Sequence, residues 1–273
     1  MSMGVFTVAC VQTTSSREVS NNIKAVRGLV LGAVDMGADL ILLPETVNLM
    51  EPKTSLMREK VMPEAEDKFL AVFCNIARDA KIWLLAGSLA VLSEEGKVVN
   101  RSFLIGPEGI ITSKYDKIHM FDADLGNGEY YRESQSYEAG VKAVTADLPW
   151  GKLGMTVCYD LRFPYLYRKL AKAGAGFLAV PSAFTRPTGE AHWHVLLRAR
   201  AIENGCFVFA PAQCGSHDGG RETYGHSLIV DPWGQVMADG GDATGIICAK
   251  IEMGQIVEAR KKIPSLNHDR ITT

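Results

Sequence analysis

Three features of the 273-residue chain predict an α/β fold in which helices cover a mixed sheet. Strand-like and helix-like segments alternate from end to end. Several strand segments are unbroken apolar runs, such as residues 40–43 (LILL) and 177–180 (FLAV), the pattern of strands covered on both faces. Hairpin signals add antiparallel neighbours, which argues against a purely doubly wound sheet. No linker rich in Pro, Gly or Ser divides the chain, so residues 1–273 are expected to form one domain.

The elements follow in order. Residues 5–11 (VFTVACV) form a strand, and residues 18–36 a helix with Ile23, Val26, Val30 and Val34 at helical spacing. A strand over 40–44 ends at Glu45. Residues 67–80 repeat the helical spacing through Phe69, Val72, Phe73 and Ile76, and 83–91 (WLLAGSLAV) is again a strand. Residues 98–105, GPEG and 110–115 make a hairpin. In the second half, 153–157 runs as a strand into Cys158, 164–173 is helical, 177–182 a strand and 190–204 a helix. Strands over 206–210, 226–231 and 245–251 precede a basic helix over 254–262, and 231–234 (DPWG) is a turn into 235–238.

Composition narrows the function classes. A hydrophobic fraction of 47% and a charged fraction of 22% supply a sizeable core. A formal net charge of -2, with no block of like charges, argues against a nucleic-acid partner. The apolar stretches are strand-sized, far short of the ~20 residues of a membrane span, and the N-terminus lacks a basic n-region. Six cysteines spread along the chain, mostly inside apolar runs, read as thiols of a reducing compartment, which points to the cytoplasm.

Chemistry-bearing candidates stand at strand ends. Glu45 closes an apolar strand, a place where α/β folds put sites, although a solvated loop carboxylate would look the same. Lys117, in residues 113–119 (SKYDKIH), taken alone reads more readily as an exposed lysine in a polar loop, with Lys114 just as eligible. Cys158 stands where the apolar run TV ends and YDLRFP begins. A thiol on such a corner can be exposed at the sheet rim, where nearby peptide N–H groups lower its pKa and bind an oxyanion. Cys10, Cys74, Cys206 and Cys248 are read as packing, Cys214 less clearly so. A Cys-His pair stays open, since His119, His192 and His226 lie near element edges. No spacing signals a metal: His192 and His194 are two apart, and neither H-E-x-x-H nor C-x-x-C occurs. There is no G-x-G-x-x-G and no Walker loop, and residues 217–222 (HDGGRE) read as a surface turn.

Three segments, residues 40–45 (LILLPE), 114–119 (KYDKIH) and 156–164 (TVCYDLRFP), resemble the signature blocks of the nitrilase, or carbon–nitrogen hydrolase, superfamily, in the same order. Residues 188–203 (TGEAHWHVLLRARAIE) and 224–234 (YGHSLIVDPWG) narrow the likeness to its Nit branch of amidases. The combination most resembles the deaminated glutathione amidases and, less closely, the omega-amidases. This resemblance implies a four-layer α-β-β-α sandwich and a Glu-Lys-Cys triad without cofactor or metal. Cys158 would attack the amide carbon, Glu45 would act as general base, and Lys117 with the Tyr159 backbone N–H would stabilise the oxyanion. Glu133 best fits a second glutamate of the family, with Glu129 and Glu138 as alternatives. Arg162 would bind a substrate carboxylate, the alternative being a structural ion pair with Asp160 or a neighbouring acid. Thr188 and Arg186 would line the same pocket.

The expected activity is hydrolysis of a small carboxylate-bearing amide, deaminated glutathione-like, through a thioester and with release of ammonia. Alpha-keto-glutaramate-like amides, N-carbamoyl amino acids and nitriles are alternatives, as is a non-catalytic binding or scaffold protein. The resemblance also implies a homodimer or higher homo-oligomer, paired through helices such as 164–170 (PYLYRKL).

Overall fold

The computed structural model describes residues 4–126 and 128–270. Strand β1 (Val5–Gln12) leads to α1 (Val19–Asp35), β2 (Leu40–Leu42), α2 (Thr54–Lys60), α3 (Lys68–Ala80), β3 (Trp83–Leu92), β4 (Val98–Ile105) and β5 (Ile111–Asp116). A short hairpin, β6 (Asp122–Asp124) with β7 (Tyr130–Arg132), precedes β8 (Val144–Leu148), β9 (Gly151–Met155), α4 (Pro164–Lys172), β10 (Ala175–Ala179), α5 (Arg186–Asn204) and β11 (Phe207–Ala210). A second hairpin, β12 (Cys214–Ser216) with β13 (Glu222–Tyr224), is followed by β14 (Leu228–Val230), β15 (Val236–Asp239), β16 (Gly245–Glu252) and α6 (Gly254–Lys262).

Two six-stranded mixed sheets result, with orders β16-β1-β2-β3-β4-β5 and β15-β14-β11-β10-β9-β8. Side-chain alternation assigns each face of the first sheet. Phe6, Val8 and Cys10 of β1 belong to the core shared with the second sheet, whereas Ala9 and Val11 pack with Val26 and Val30 of α1 and Phe69 and Phe73 of α3. Leu40 and Leu42 face one way and Ile41 the other. Phe6 meets Phe177 of β10 edge-on with ring centroids 5.4 Å apart, joining the two sheets. The far face of the second sheet is covered through Leu166 and Leu170 of α4 and Trp193 and Leu197 of α5. Four layers, α-β-β-α, follow. No helix among the described residues is long and apolar enough to cross a membrane.

Local chemistry explains where the element bounds differ from expectation. Helix α5 begins at Arg186, four residues before the expected start, because Pro187 in its first turn supplies a helical φ and lacks only an N–H that would go unpaired. The strand expected over 226–231 spans only Leu228–Val230, since His226 has φ 51 and turns the chain before the ladder begins. Helix α2 and both short hairpins carry too few residues to show a period.

The fold gathers strand ends. β2, β5 and β9 run into residues 45, 117 and 158, and β10 runs into Ala183. Continuing backbone bonds fix these exits: Leu43 N–H donates to Leu85 O, Cys158 N–H to Pro181 O and Gly140 N–H to Lys117 O, at 2.9, 2.9 and 2.8 Å. At Gly140 the approach leaves no space for a side chain, because a Cβ there would lie 2.2 Å from the Asp116 carbonyl oxygen. Gly140→Ala is therefore expected to destabilise the fold by about 1–3 kcal/mol through overpacking. Thermal unfolding should show a midpoint lower by several degrees, and an unchanged midpoint would refute this close approach.

Candidate functional site

A cavity of about 340 Å³ opens where these strand ends meet, a volume suited to a small molecule. Glu45, Lys117, Glu133, Cys158, Arg162 and Thr188 all line it. No histidine lies on its wall, which removes the geometry for a Cys-His pair. Arg186 stays outside: as the first residue of α5 its guanidinium turns to Glu190 and Glu222, at 3.8 and 3.4 Å, and the expectation that it lines the pocket is corrected.

At the centre is a buried ammonium. The Lys117 side chain is only 2% exposed, and its Nζ donates to Glu45 Oε1, Glu133 Oε1 and Glu133 Oε2, each at 2.8 Å. Each carboxylate has a second anchor. Glu45 Oε2 accepts from Ala183 N–H at 2.9 Å, and Glu133 Oε2 from Phe121 N–H at 2.6 Å. Asn100 Nδ2 donates to Glu45 and Glu133 at 3.0 and 3.3 Å, so one amide ties the two acids together. The other glutamates considered from sequence point elsewhere: Glu129 accepts from Tyr131, and Glu138 pairs with Lys97. Lys114 pairs with Glu64, away from the cavity.

The charges control one another. Burial drives the Glu45 carboxyl up, but the adjoining Lys117 ammonium outweighs it and leaves the group below its usual range. Burial likewise favours a neutral Lys117, yet the Glu133 and Glu45 carboxylates hold the ammonium well above its ordinary value. For Cys158, burial and then the Glu45 carboxylate push the thiol far above a free cysteine, and Lys117 offsets only part of this. The resting thiol is therefore neutral at physiological pH, contrary to the lowered pKa its corner position implied.

Backbone geometry explains how Cys158 reaches the cavity. It adopts φ 47, a left-handed conformation unusual for a residue with a Cβ, at the start of a short 3-10 helix, Cys158–Arg162. Asp160 locks this corner: its carboxylate accepts from Val157 N–H at 2.8 Å, Tyr115 Oη at 2.6 Å and His119 N–H at 3.1 Å. Asp160 is therefore fully engaged in structure, and Arg162 is not its ion partner. The Arg162 guanidinium lies over Tyr159 and Phe184, 5.9 and 5.4 Å from their ring centroids, with Nη1 3.3 Å from His192 Nδ1. It makes no ion pair among the described residues. The Thr188 hydroxyl is 2.8 Å from that of Thr185 at the start of α5.

Arg221 is among the cavity residues that escaped the sequence reading. It comes from the loop between β12 and β13, where the glycine-rich stretch suggested only a surface turn. Its Nη2 donates to Ala183 O at 2.6 Å and its guanidinium carbon is 5.6 Å from the Tyr131 ring centroid. Its Nε is buried and has no hydrogen-bond partner among the described residues. Only the hairpin pairing of Gly215 with Thr223 reveals that this loop folds back over the cavity.

The ion cluster dictates a pH response. In the native chain Glu45 has a lowered pKa, so its contribution to stability is present above the unfolded carboxyl value and lost as pH falls through the folded one. Lys117→Met would leave Glu45 buried without its cation, so burial would raise its carboxyl above the unfolded value. That contribution is present at low pH and lost as pH rises. The variant should be destabilised by about 3–5 kcal/mol at pH 8 and less at pH 5. Denaturant titration at both values checks this; a loss of equal size at both would contradict the cluster described.

Comparison with known proteins shows the family. The family model described as carbon-nitrogen hydrolase matches residues 7–261. A deaminated glutathione amidase of Synechocystis sp. is 40% identical over 271 residues, covering 97% of this chain and 98% of its own. Among solved structures, the Caenorhabditis elegans NitFhit protein superposes with a TM-score of 0.92 at 34% identity, over 99% of this chain and 66% of that longer one. Saccharomyces cerevisiae Nit3, of branch 10 of the nitrilase superfamily, gives a TM-score of 0.86 at 31% identity, over 95% and 94%. With the matching model running from β1 into α6, the chain belongs to the carbon–nitrogen hydrolase family.

Proposed function

We propose that the protein is an amidase for a small, carboxylate-bearing amide, with deaminated glutathione as the leading substrate class and Glu45, Lys117 and Cys158 as its triad. The observation that carries this reading is the meeting of thiol, carboxylate and ammonium in one cavity whose wall includes Arg162 and Arg221, neither with a carboxylate partner among the described residues.

In the first half-reaction, Cys158 Sγ attacks the amide carbon while its proton passes to Glu45. Charge moves onto the carbonyl oxygen, where Lys117 Nζ and the Tyr159 N–H stabilise it. The C–N bond then breaks, the nitrogen takes the proton from Glu45, and a thioester remains. Water delivers a proton to Glu45 as it attacks the thioester, and the proton returns to Cys158 as the acid departs. A primary amide releases ammonia by this route, whereas the peptide-like amide of a deaminated glutathione releases an amine. Glu133 is a positioning residue for Lys117, since it touches the ammonium through both oxygens.

Arg162 and Arg221 would bind the carboxylate ends of the substrate, because a guanidinium matches a carboxylate through two parallel N–H···O bonds. Exposed Tyr165, Val195, Ile202 and Val257 on α4, α5 and α6 support a homodimer paired through these helices.

Brief mixing with an omega-amide of a dicarboxylate, followed by intact-mass measurement, should show an acyl adduct absent from Cys158→Ala. Equal product formation by both proteins would refute the mechanism. Arg162→Ala should lose about 10–100-fold in kcat/KM on carboxylated amides, the equivalent of a charged hydrogen bond of about 1.5–3 kcal/mol. It should change little on neutral amides, and an equal loss on both would exclude carboxylate recognition by this residue.

A further inference from the structure

Away from the cavity, three elements bring two imidazoles onto one carboxylate. His194 projects from α5, His226 from the turn before β14, and Asp239 ends β15. One donor atom from each lies within 4.8 Å of the other two. Asp239 Oδ2 is 3.0 Å from His194 Nε2, and its Oδ1 is 2.9 Å from His226 Nδ1. We propose that His194, His226 and Asp239 form a structural site for one borderline divalent transition-metal ion, such as Zn²⁺.

The donor set is the first reason. Two neutral imidazoles and one carboxylate suit Zn²⁺ and its neighbours rather than Mg²⁺ or Ca²⁺, which prefer oxygen alone. Spacing is the second. Ligands at about 2.0–2.1 Å around a tetrahedral ion stand about 3.3 Å from one another. The two contacts at 2.9 and 3.0 Å, one to each carboxylate oxygen, would open by a few tenths of an ångström, and donor atoms already within 4.8 Å of one another would close onto the ion. The remaining positions on the ion would be filled by water.

Preorganisation is the third reason. His226 has φ 51 and is pinned on both sides: its N–H donates to Gly241 O at 2.7 Å, and its carbonyl accepts Trp193 Nε1 at 2.7 Å. Its ring stacks on Tyr224 with centroids 4.5 Å apart. Its other nitrogen, Nε2, is 3.4 Å from Asp242 Oδ1. A proton held there by Asp242 leaves the Nδ1 lone pair directed at Asp239, the arrangement by which an outer carboxylate sets the tautomer of a metal-binding histidine. Asp239 itself accepts from Gly241 N–H at 2.9 Å, which helps hold its carboxyl below the usual range despite partial burial. All three side chains remain between 23% and 35% exposed, so an ion can reach them.

A bound ion would take the place of the present ring–carboxylate contacts, and would tie α5 to the ends of β14 and β15. This clip lies next to Tyr224, whose N–H donates to Phe184 O at 3.0 Å on the cavity wall. It would therefore stiffen one side of the cavity without contributing a ligand to it.

Thiols also bind Zn²⁺, so the test uses the full chain with Cys158→Ala, stripped with chelator and titrated calorimetrically with ZnCl₂. One equivalent should bind, and saturation should raise the unfolding temperature. His194→Gln and Asp239→Asn, each added to that background, should weaken binding at least about tenfold, the lower end of what perturbing a metal site costs. Both should also abolish the thermal shift; circular dichroism and the metal-free midpoint establish that each variant is folded. Cobalt(II) titration should give visible bands without thiolate charge transfer. The absence of stoichiometric uptake by the parent, uptake by either variant as tight as the parent's, or a thiolate band would each overturn the site.

Discussion

The ammonium of Lys117 is the element on which the site depends. A lysine 2% exposed would lose its proton unless opposite charge stood against it, and one carboxylate would leave donors unpaired. Two glutamates from different parts of the chain supply three acceptors for its three N–H groups, all at 2.8 Å. That requirement reaches far into the fold. Glu45 must leave β2, Lys117 must leave β5, and the short turn carrying Glu133 must fold back over both. Asn100 of β4 then finds its amide shared between the two acids. Removing any member exposes another to an uncompensated burial cost, so the cluster specifies the loops as much as the loops specify the cluster.

What the sequence made legible follows the same physics. Glu45 and Cys158 each stand where an apolar run ends, and a strand end is visible in hydropathy alone; Lys117 follows the polar strand ITSKYD, and only the family likeness singled it out. The strands and long helices were equally visible, because burial imposes periods of two or 3.6 residues. Stacking two sheets face to face leaves no such trace: Phe6 meets Phe177 across more than 170 positions, and only the family likeness pointed to four layers. Glu133 could be narrowed only to a group of three, because the choice among Glu129, Glu133 and Glu138 depends on how a loop folds. Arg186 and Arg221 exchange places for a related reason. Pro187 draws Arg186 into the first turn of α5 and away from the cavity, while a hairpin of three-residue strands, too short for a period to show, brings Arg221 into it.

The corner at Cys158 shows how strain and satisfaction are combined. A left-handed φ at a residue with a side chain is costly, of order 1–3 kcal/mol, and persists only where neighbours over-determine it. Here Asp160, fully buried, receives bonds from the backbone on one side and from Tyr115 and His119 on the other. The aspartate in the signature segment is therefore a brace for the backbone of Cys158. Arg162, two residues on, is left free to face the cavity because the brace does not need it.

Charge counting in the cavity favours a particular order of events at the thiol. Glu45, Lys117 and Glu133 already sum to one negative charge, so a thiolate at rest would add a second anion to a buried site. The raised thiol pKa expresses that cost. In the proposed cycle the proton leaves Cys158 only as the C–S bond forms, and it goes to Glu45. Protonation removes the charge that held one Lys117 N–H, at the moment when negative charge appears on the substrate oxygen. That donor can then turn to the oxyanion while Glu133 keeps the ammonium paired. The total charge stays at one negative throughout. A single glutamate could not do both tasks, since the base must give up its charge during the step in which Lys117 most needs a permanent partner. In the proposed cycle the second glutamate thus follows from using a buried lysine as an oxyanion donor beside a carboxylate base.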